Sequence, residues 1–252
     1  MEQNDYHQKV PNSVEFEAQR RAIIRKQSQS DRAPLSGLLT SVIENRFEYQ
    51  WTWLGVPIIR LPEDLMVQQE IMETNDFGAV IETGVARGGG LIFSASVLQL
   101  LGSKSPVIGV DNVVHPHTWA ALSRSSLSGK IRLVIGDSSD QKTVKEVERQ
   151  LTTPSKPTLV VLDSDHSPEH VLGELRQLSK ICAVGSTIIV CDTIIDEVGP
   201  GLFPGRSWND GVGPYSAVRT FLGEAPDWRP SSFHGRRGII SEIRDGVLEK
   251  FV

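Results

Sequence analysis

The chain has 252 residues, of which 39% are hydrophobic and 23% charged, with a formal net charge of -5. That length suits one domain with a substantial core, or a domain carrying a small appendage. The mild acidity, without a dense Lys/Arg cluster interleaved with aromatics, argues against a nucleic-acid binder, and no apolar run reaches the ~20 residues of a membrane span.

Residues 1–47 read as an N-terminal helical arm, with a helix over 14–26, a loop over 27–31 and a second helix over 35–47. The first residues lack a basic segment followed by an apolar one, so no secretory signal is expected. The arm is a candidate surface for homo-oligomer contacts. Residues 48–252 read as one domain.

Tyr49, Trp51 and Trp53 fall within five residues, ahead of Gly55 and Pro57. They suit either an aromatic plug over the core or the wall of a substrate pocket, where rigid rings pack on an organic ligand. Pro62, Glu63 and Asp64 open a helix running to residue 72, with proline in the first turn and acids complementing the dipole. From residue 78 short apolar runs alternate with helical stretches. Strands are predicted over 79–82, 107–110, 131–135, 158–162 and 186–190, with helices over 89–101, 118–125, 140–151 and 167–180. That alternation is the pattern of an α/β Rossmann-like domain, a parallel sheet covered on both faces with right-handed crossovers. A helix over 215–222 follows. Phe233, residues 238–240 and Val247-Leu248 then supply two short strands, read as a terminal antiparallel hairpin. Cys182 and Cys191 flank the fifth strand and read as buried, reduced thiols of a cytoplasmic protein.

Open parallel sheets collect their chemistry beyond the carboxyl ends of the strands. Those ends are polar here. The first gives Glu82, Gly84 and Gly88; the second Asp111; the third Gly136, Asp137, Ser138 and Ser139. The fourth gives Asp163, Ser164, Asp165 and His166, and the fifth Cys191, Asp192 and Thr193. A glycine-rich turn between strand and helix lets a ligand approach the backbone. The turn reads Glu-x-Gly-x-x-x-Gly-Gly-Gly, however, and not Gly-x-Gly-x-x-Gly. An acid before the turn suits an ammonium group and repels a pyrophosphate, which favours S-adenosylmethionine. Glu82 is equally placed to bond the backbone of its own turn. Asp111 suits the ribose hydroxyls or a helix cap. Asp137 and Ser138 suit the adenine edge, or a turn and N-cap.

Two readings of residues 163–166 compete. In the first, Asp163 and Asp192, with Asp165 as a further oxygen ligand, hold Mg²⁺. In the second no metal is needed, and His166, Asp163 or Asp165 takes the proton of a substrate hydroxyl as general base. His170 reads as a satisfied helix histidine. Residues 200–214 form a loop rich in Gly, Pro and aromatics that reaches over the same edge. Its Arg206 and Trp208 either contact substrate or brace the loop. His115, His117 and Trp119 are a further candidate lining.

Trp53-Leu54-Gly55, Pro62-Glu63-Asp64, Gln69-Glu70-Ile71, Ile81-Glu82-Thr83-Gly84, Gly88-Gly89, Leu162-Asp163-Ser164-Asp165-His166 and Asp192-Thr193 occur in this order. They are followed by Arg206-Ser207-Trp208 and by Ala217 with Phe221-Leu222. Over roughly residues 49–222 the chain resembles the family that groups cephalosporin hydroxylase-like proteins with rhamnosyl O-methyltransferases. The resemblance implies a Rossmann-like class I methyltransferase fold, S-adenosylmethionine as cofactor, and a hydroxyl of a sugar or decorated natural product as acceptor. It carries Glu82, Gly84 and Gly88 onto the cofactor loop, Asp111 onto the ribose acid, and Asp163 onto the first metal-ligand acid. The paired acidic positions that follow fall on Cys191 and Asp192, so the first acid of the pair is replaced by a thiol, a poor match to Mg²⁺. Two rivals are weighed against this expectation. A nicotinamide oxidoreductase is disfavoured by Glu82 and Arg87. A non-catalytic small-molecule-binding protein on the same fold is kept open by Cys191.

Overall fold

Five apolar strands lie side by side as a parallel sheet: β3 (Ala79–Thr83), β4 (Val107–Asp111), β5 (Ile131–Ile135), β6 (Thr158–Leu162) and β7 (Thr187–Val190). The computed structural model describes residues 36–235 and 237–252, together with the isolated helical positions 18 and 22. The helix expected over 14–26 and the loop over 27–31 therefore lie outside the described residues. With β8 (Trp228–Pro230) and β9 (Val247–Lys250) added, among the described residues the main sheet runs in the order β5-β4-β3-β6-β7-β9-β8. The order reverses between β3 and β6, where a doubly wound sheet opens its ligand crevice.

Alternation along each strand explains the continuous apolar runs. Val80, Leu159, Val161 and Ile189 face a core built with α2 (Pro62–Thr74) and α3 (Gly89–Leu100). Ala79, Ile81, Val160, Leu162 and Ile188 face a second core with α5 (Gln141–Gln150), α6 (Pro168–Leu178) and α8 (Pro214–Glu224). Both faces are covered, so the middle of each strand is largely apolar and polar residues gather towards the strand ends.

Two stretches differ from their sequence reading. The terminal antiparallel pair is β8 (Trp228–Pro230) with β9 (Val247–Lys250), and Phe233 and residues 238–240 lie in the connection between them. Trp228 is 4% exposed and packs edge-on to Phe221, which fixes this strand rather than the apolar residues that follow. The aromatic stretch forms a hairpin, β1 (Trp51–Trp53) against β2 (Val56–Ile58), whose turn places Leu54 and Gly55 at positive φ. The first described helix, α1 (Ser36–Glu44), packs on the short α7 (Ile195–Val198) beside the end of β7. Among the described residues, no helix is long and apolar enough to cross a membrane.

Candidate active site

The glycine turn after β3 is shaped by what presses on it. Gly84 has φ +80, and a Cβ there would stand 1.9 Å from the Asp163 carbonyl oxygen. Only glycine meets both demands, so the ends of β3 and β6 touch. Gly88 caps α3 at φ 87, again in the left-handed region. Asp111, at the end of β4, accepts the Val85 N–H at 2.8 Å and the Val113 N–H at 3.0 Å. Its carboxylate therefore orders the turn. Glu82 is 3% exposed, and its Oε2 has no hydrogen-bond partner. Burial pushes its carboxyl up to about 7 against the pull of Arg60, with Asp163 adding to the rise. Burying an acid without a partner is costly unless a cationic ligand arrives. The orphaned oxygen and the glycine turn fit the ammonium end of an amino-acid cofactor. Among the described residues Glu82, Gly84, Val85 and Gly90 line one narrow cleft with Pro57, Arg60 and Asp163.

Arg60 joins the cofactor cleft to the neighbouring cavity. It is 4% exposed and donates from Nη2 to Asp163 Oδ2 at 2.9 Å and from Nη1 to Gln68 Oε1 at 2.8 Å. Gln68 in turn donates to Ser94 on α3. Asp163 is thus aimed by a relay from α2 and α3. Burial raises its carboxyl, opposed chiefly by the Arg60 charge. Asp163, His166 and Asp192 bring one ligand atom each within 4.8 Å of one another. His166 Nε2 lies 3.6 Å from Asp192 Oδ2. Asp192 holds φ 57, a conformation that few residues other than glycine adopt and that concentrates at functional sites. Two carboxylates and an imidazole in reach of one point fit a divalent cation with oxygen preference. The Cys191 thiol does not join them: it is 2% exposed, and burial drives its ionisation well above the ordinary range.

These groups face a cavity of about 370 Å³, within the range of small-molecule sites. The loop after α7 forms its far wall with Phe203, Arg206 and Trp208. Gly201 N–H to Asn209 O and Phe203 N–H to Asn209 Oδ1 tie the loop to itself. Asp196 closes it by accepting the N–H groups of Tyr215 and Ser216. Trp208 stands edge-on to His166 at 5.1 Å, and Arg206 lies over the Trp208 ring. Glu48 and Tyr49 line the opposite side.

The remaining candidates are placed elsewhere. Trp53 donates from its indole to Ser96 and packs edge-on to Phe93, as a plug on α3 outside the cavity lining. Trp51 is 39% exposed and outside the lining too. Asp165 accepts the Ser167 N–H at 2.8 Å and serves the start of α6. Asp137 accepts both the N–H and the hydroxyl of Ser139 at the end of β5. The Ser138 hydroxyl turns inward to Glu174. His170 meets Ser138, Ser164 and Glu174, the satisfied helix histidine that its position suggests. His117 approaches Arg87 at 2.8 Å and stacks on His115 near the glycine turn, and Trp119 is exposed.

The sequence reading missed Arg60, Glu48 and Glu242. Arg60 stands two residues before Pro62-Glu63-Asp64, close enough to a recognised motif to have been weighed. Glu242 is 8% exposed in the connection before β9 and lines the cavity. Burial and the neighbouring Asp192, Asp64 and Asp163 push its carboxyl well above the ordinary range. No local pattern marks it, because only the return of the chain past β7 brings it there.

Comparison with known proteins agrees with this geometry. The family model described as rhamnosyl O-methyltransferase/CmcI matches residues 45–251. A rhamnosyl O-methyltransferase of Mycobacterium leprae is 29% identical over 177 residues, covering 69% of this chain and 72% of that protein. One of Mycobacterium tuberculosis is 28% identical over 177 residues, covering 70% and 68%. CmcI solved with Mg and SAM superposes with a TM-score of 0.59 at 19% identity, covering 81% of this chain and 78% of that one. At that identity the likeness speaks to the fold, a Rossmann-like class I methyltransferase. The chain belongs to the rhamnosyl O-methyltransferase/CmcI family.

Proposed function

We propose that this protein transfers a methyl group from S-adenosylmethionine to a hydroxyl of a sugar or glycosylated natural product. One observation carries the reading: Asp163, His166 and Asp192 converge on a cavity that meets, at Asp163, the cleft beneath the glycine turn. Donor and acceptor sites thus share a wall. The names of the mycobacterial relatives favour a rhamnosyl acceptor. The acids lining the cavity would repel a phosphate backbone, which disfavours nucleic acid as acceptor. Two buried free cysteines suit a reducing, cytoplasmic setting.

When bound, S-adenosylmethionine would supply an electrophilic methyl, and Asp163 and Asp192 would hold a Mg²⁺ whose positive charge would orient and acidify the acceptor hydroxyl. Glu82 would receive the cofactor ammonium, and Asp111 holds the turn that would carry the ribose. Asp137 and the backbone at Ser138 would border the adenine end. Holding donor and acceptor in line removes much of the orientational cost of the reaction. The acceptor oxygen forms its bond to the methyl carbon and gives its proton to His166 Nε2. The electrons of the broken carbon–sulfur bond remain on sulfur, leaving a neutral thioether. Asp192, beside Nε2, stabilises the imidazolium. Trp208 and Arg206 face the acceptor.

The test is incubation with methyl-labelled S-adenosylmethionine, Mg²⁺ and a panel of rhamnosylated and other glycosylated acceptors. Label on a sugar oxygen is the expected result. Label confined to non-saccharide acceptors, or oxidation of a sugar with NAD and no methyl transfer, would overturn the reading.

A further inference from the structure

We infer that Glu242 supplies, to a cation held by Asp163 and Asp192, the negative charge that Cys191 does not. The inference rests on the methyltransferase reading of this cavity and goes beyond it by naming a residue from a different part of the chain. Cys191 packs with Ile189, Ile243 and Val247 in the apolar core. A thiol there would have to lose its proton to serve as a ligand, and Mg²⁺ prefers oxygen. Glu242 has the opposite character. It is 8% exposed, lines the cavity, and among the described residues its carboxylate has neither a hydrogen-bond nor an ion-pair partner.

The backbone around Glu242 is held on both sides. Its N–H donates to Asp64 Oδ2 at 2.8 Å, and its carbonyl accepts the Thr193 hydroxyl at 2.9 Å. Thr193 directly follows Asp192, so the segment that presents the metal acid also fixes Glu242. Glu48 Oε2, lining the same cavity, is a buried oxygen without a partner. Unpaired carboxylates are expensive to bury, and several facing one cavity repel one another. A divalent cation relieves both costs. Glu242 stands outside the trio gathered within 4.8 Å, so it acts from the cavity wall on the water that Mg²⁺ retains.

Electron paramagnetic resonance of Mn²⁺ titrated into the full chain with S-adenosylhomocysteine tests this. Glu242→Gln should weaken Mn²⁺ binding by ~10-fold or more, the scale of outer ligands, and leave metal-free S-adenosylhomocysteine affinity unchanged. Asp163→Asn should abolish Mn²⁺ binding. If Glu242→Gln does not fold, Glu242→Ala serves instead: weakened binding supports the inference and wild-type binding overturns it. Wild-type Mn²⁺ affinity in Glu242→Gln, alongside loss in Asp163→Asn, overturns the role of Glu242 and leaves the methyltransferase reading intact. A wild-type chain that binds no Mn²⁺ yet methylates sugars in EDTA overturns the inference alone. A wild-type chain that binds no Mn²⁺ and methylates nothing overturns both.

Discussion

Two acid–histidine clusters flank the end of β6, and they differ in what their acids face. On one side Glu174, fully buried, accepts the hydroxyls of Ser138 at 2.5 Å and Ser164 at 2.7 Å, with His170 at 3.5 Å. On the other, Asp163 has Arg60 and Asp192 has only His166 at 3.6 Å, while Glu242 and one oxygen of Glu48 lack partners among the described residues. The same short segment feeds both: Ser164 and His170 turn inward, Asp163 and His166 outward. The first cluster ties β5, β6 and α6 together through Glu174 Oε1, although its Oε2 is buried without a partner. The second keeps negative charge in excess and faces a cavity. The open cavity, and not residue type or full partner satisfaction, marks the chemical cluster here.

The comparison breaks most visibly at the histidines. His166→Ala should lower kcat by ~10²–10⁴, the contribution of a general base, and leave S-adenosylhomocysteine affinity unchanged. Steady-state rates beside calorimetry check this, and an unchanged kcat removes His166 from the chemistry. Asp163→Ala should strand the buried Arg60 cation and destabilise the fold by ~3 kcal/mol, read from urea melts. A melt within error of wild type would mean that Glu82 already neutralises Arg60.

A pH series sharpens the electrostatic side. The Glu82 carboxyl is raised from 4.5 to about 7. Between those values the folded chain holds a proton that the unfolded chain has released. The group's contribution to stability is therefore present at low pH and lost as pH rises through about 7, by on the order of 3 kcal/mol. Glu82→Gln should gain stability relative to wild type at pH 8 compared with pH 5. A pH-independent difference would show that Glu82 is charged throughout. The smallest effect belongs to the Ser138–Glu174 cluster: Glu174→Gln should cost ~1–3 kcal/mol of stability and leave kcat within a few-fold. A large loss of turnover there would erase the distinction between the two clusters.

Much of this was legible in the sequence, for reasons that differ by region. The five parallel strands are legible because burial on both faces leaves few polar positions. Their carboxyl ends are legible as the polar edge, since β3, β4, β6 and β7 finish within two residues of Glu82, Asp111, Asp163 and Asp192. Pairing is what sequence hides. Ser138 fits an adenine contact or a turn and N-cap, and its hydroxyl instead goes to Glu174, from α6. Trp53 fits a pocket wall or a plug, and Ser96 and Phe93 receive it as a plug. Glu242 carries no local signal, because its place depends on the antiparallel return of β9 beside β7. One strand of the terminal pair lies at 228–230 rather than 238–240, because Trp228, an isolated aromatic, packs against Phe221; the other, β9, contains the expected Val247-Leu248.

Anomalous diffraction from crystals grown with Mn²⁺ and S-adenosylhomocysteine tests the central claim most directly. The account predicts one strong peak bonded to Asp163 and Asp192, with the cofactor ammonium on Glu82 and nothing at the Ser138–Glu174 cluster. Crystals with the cofactor bound but no peak between Asp163 and Asp192, or with the ion at Glu174, would contradict it.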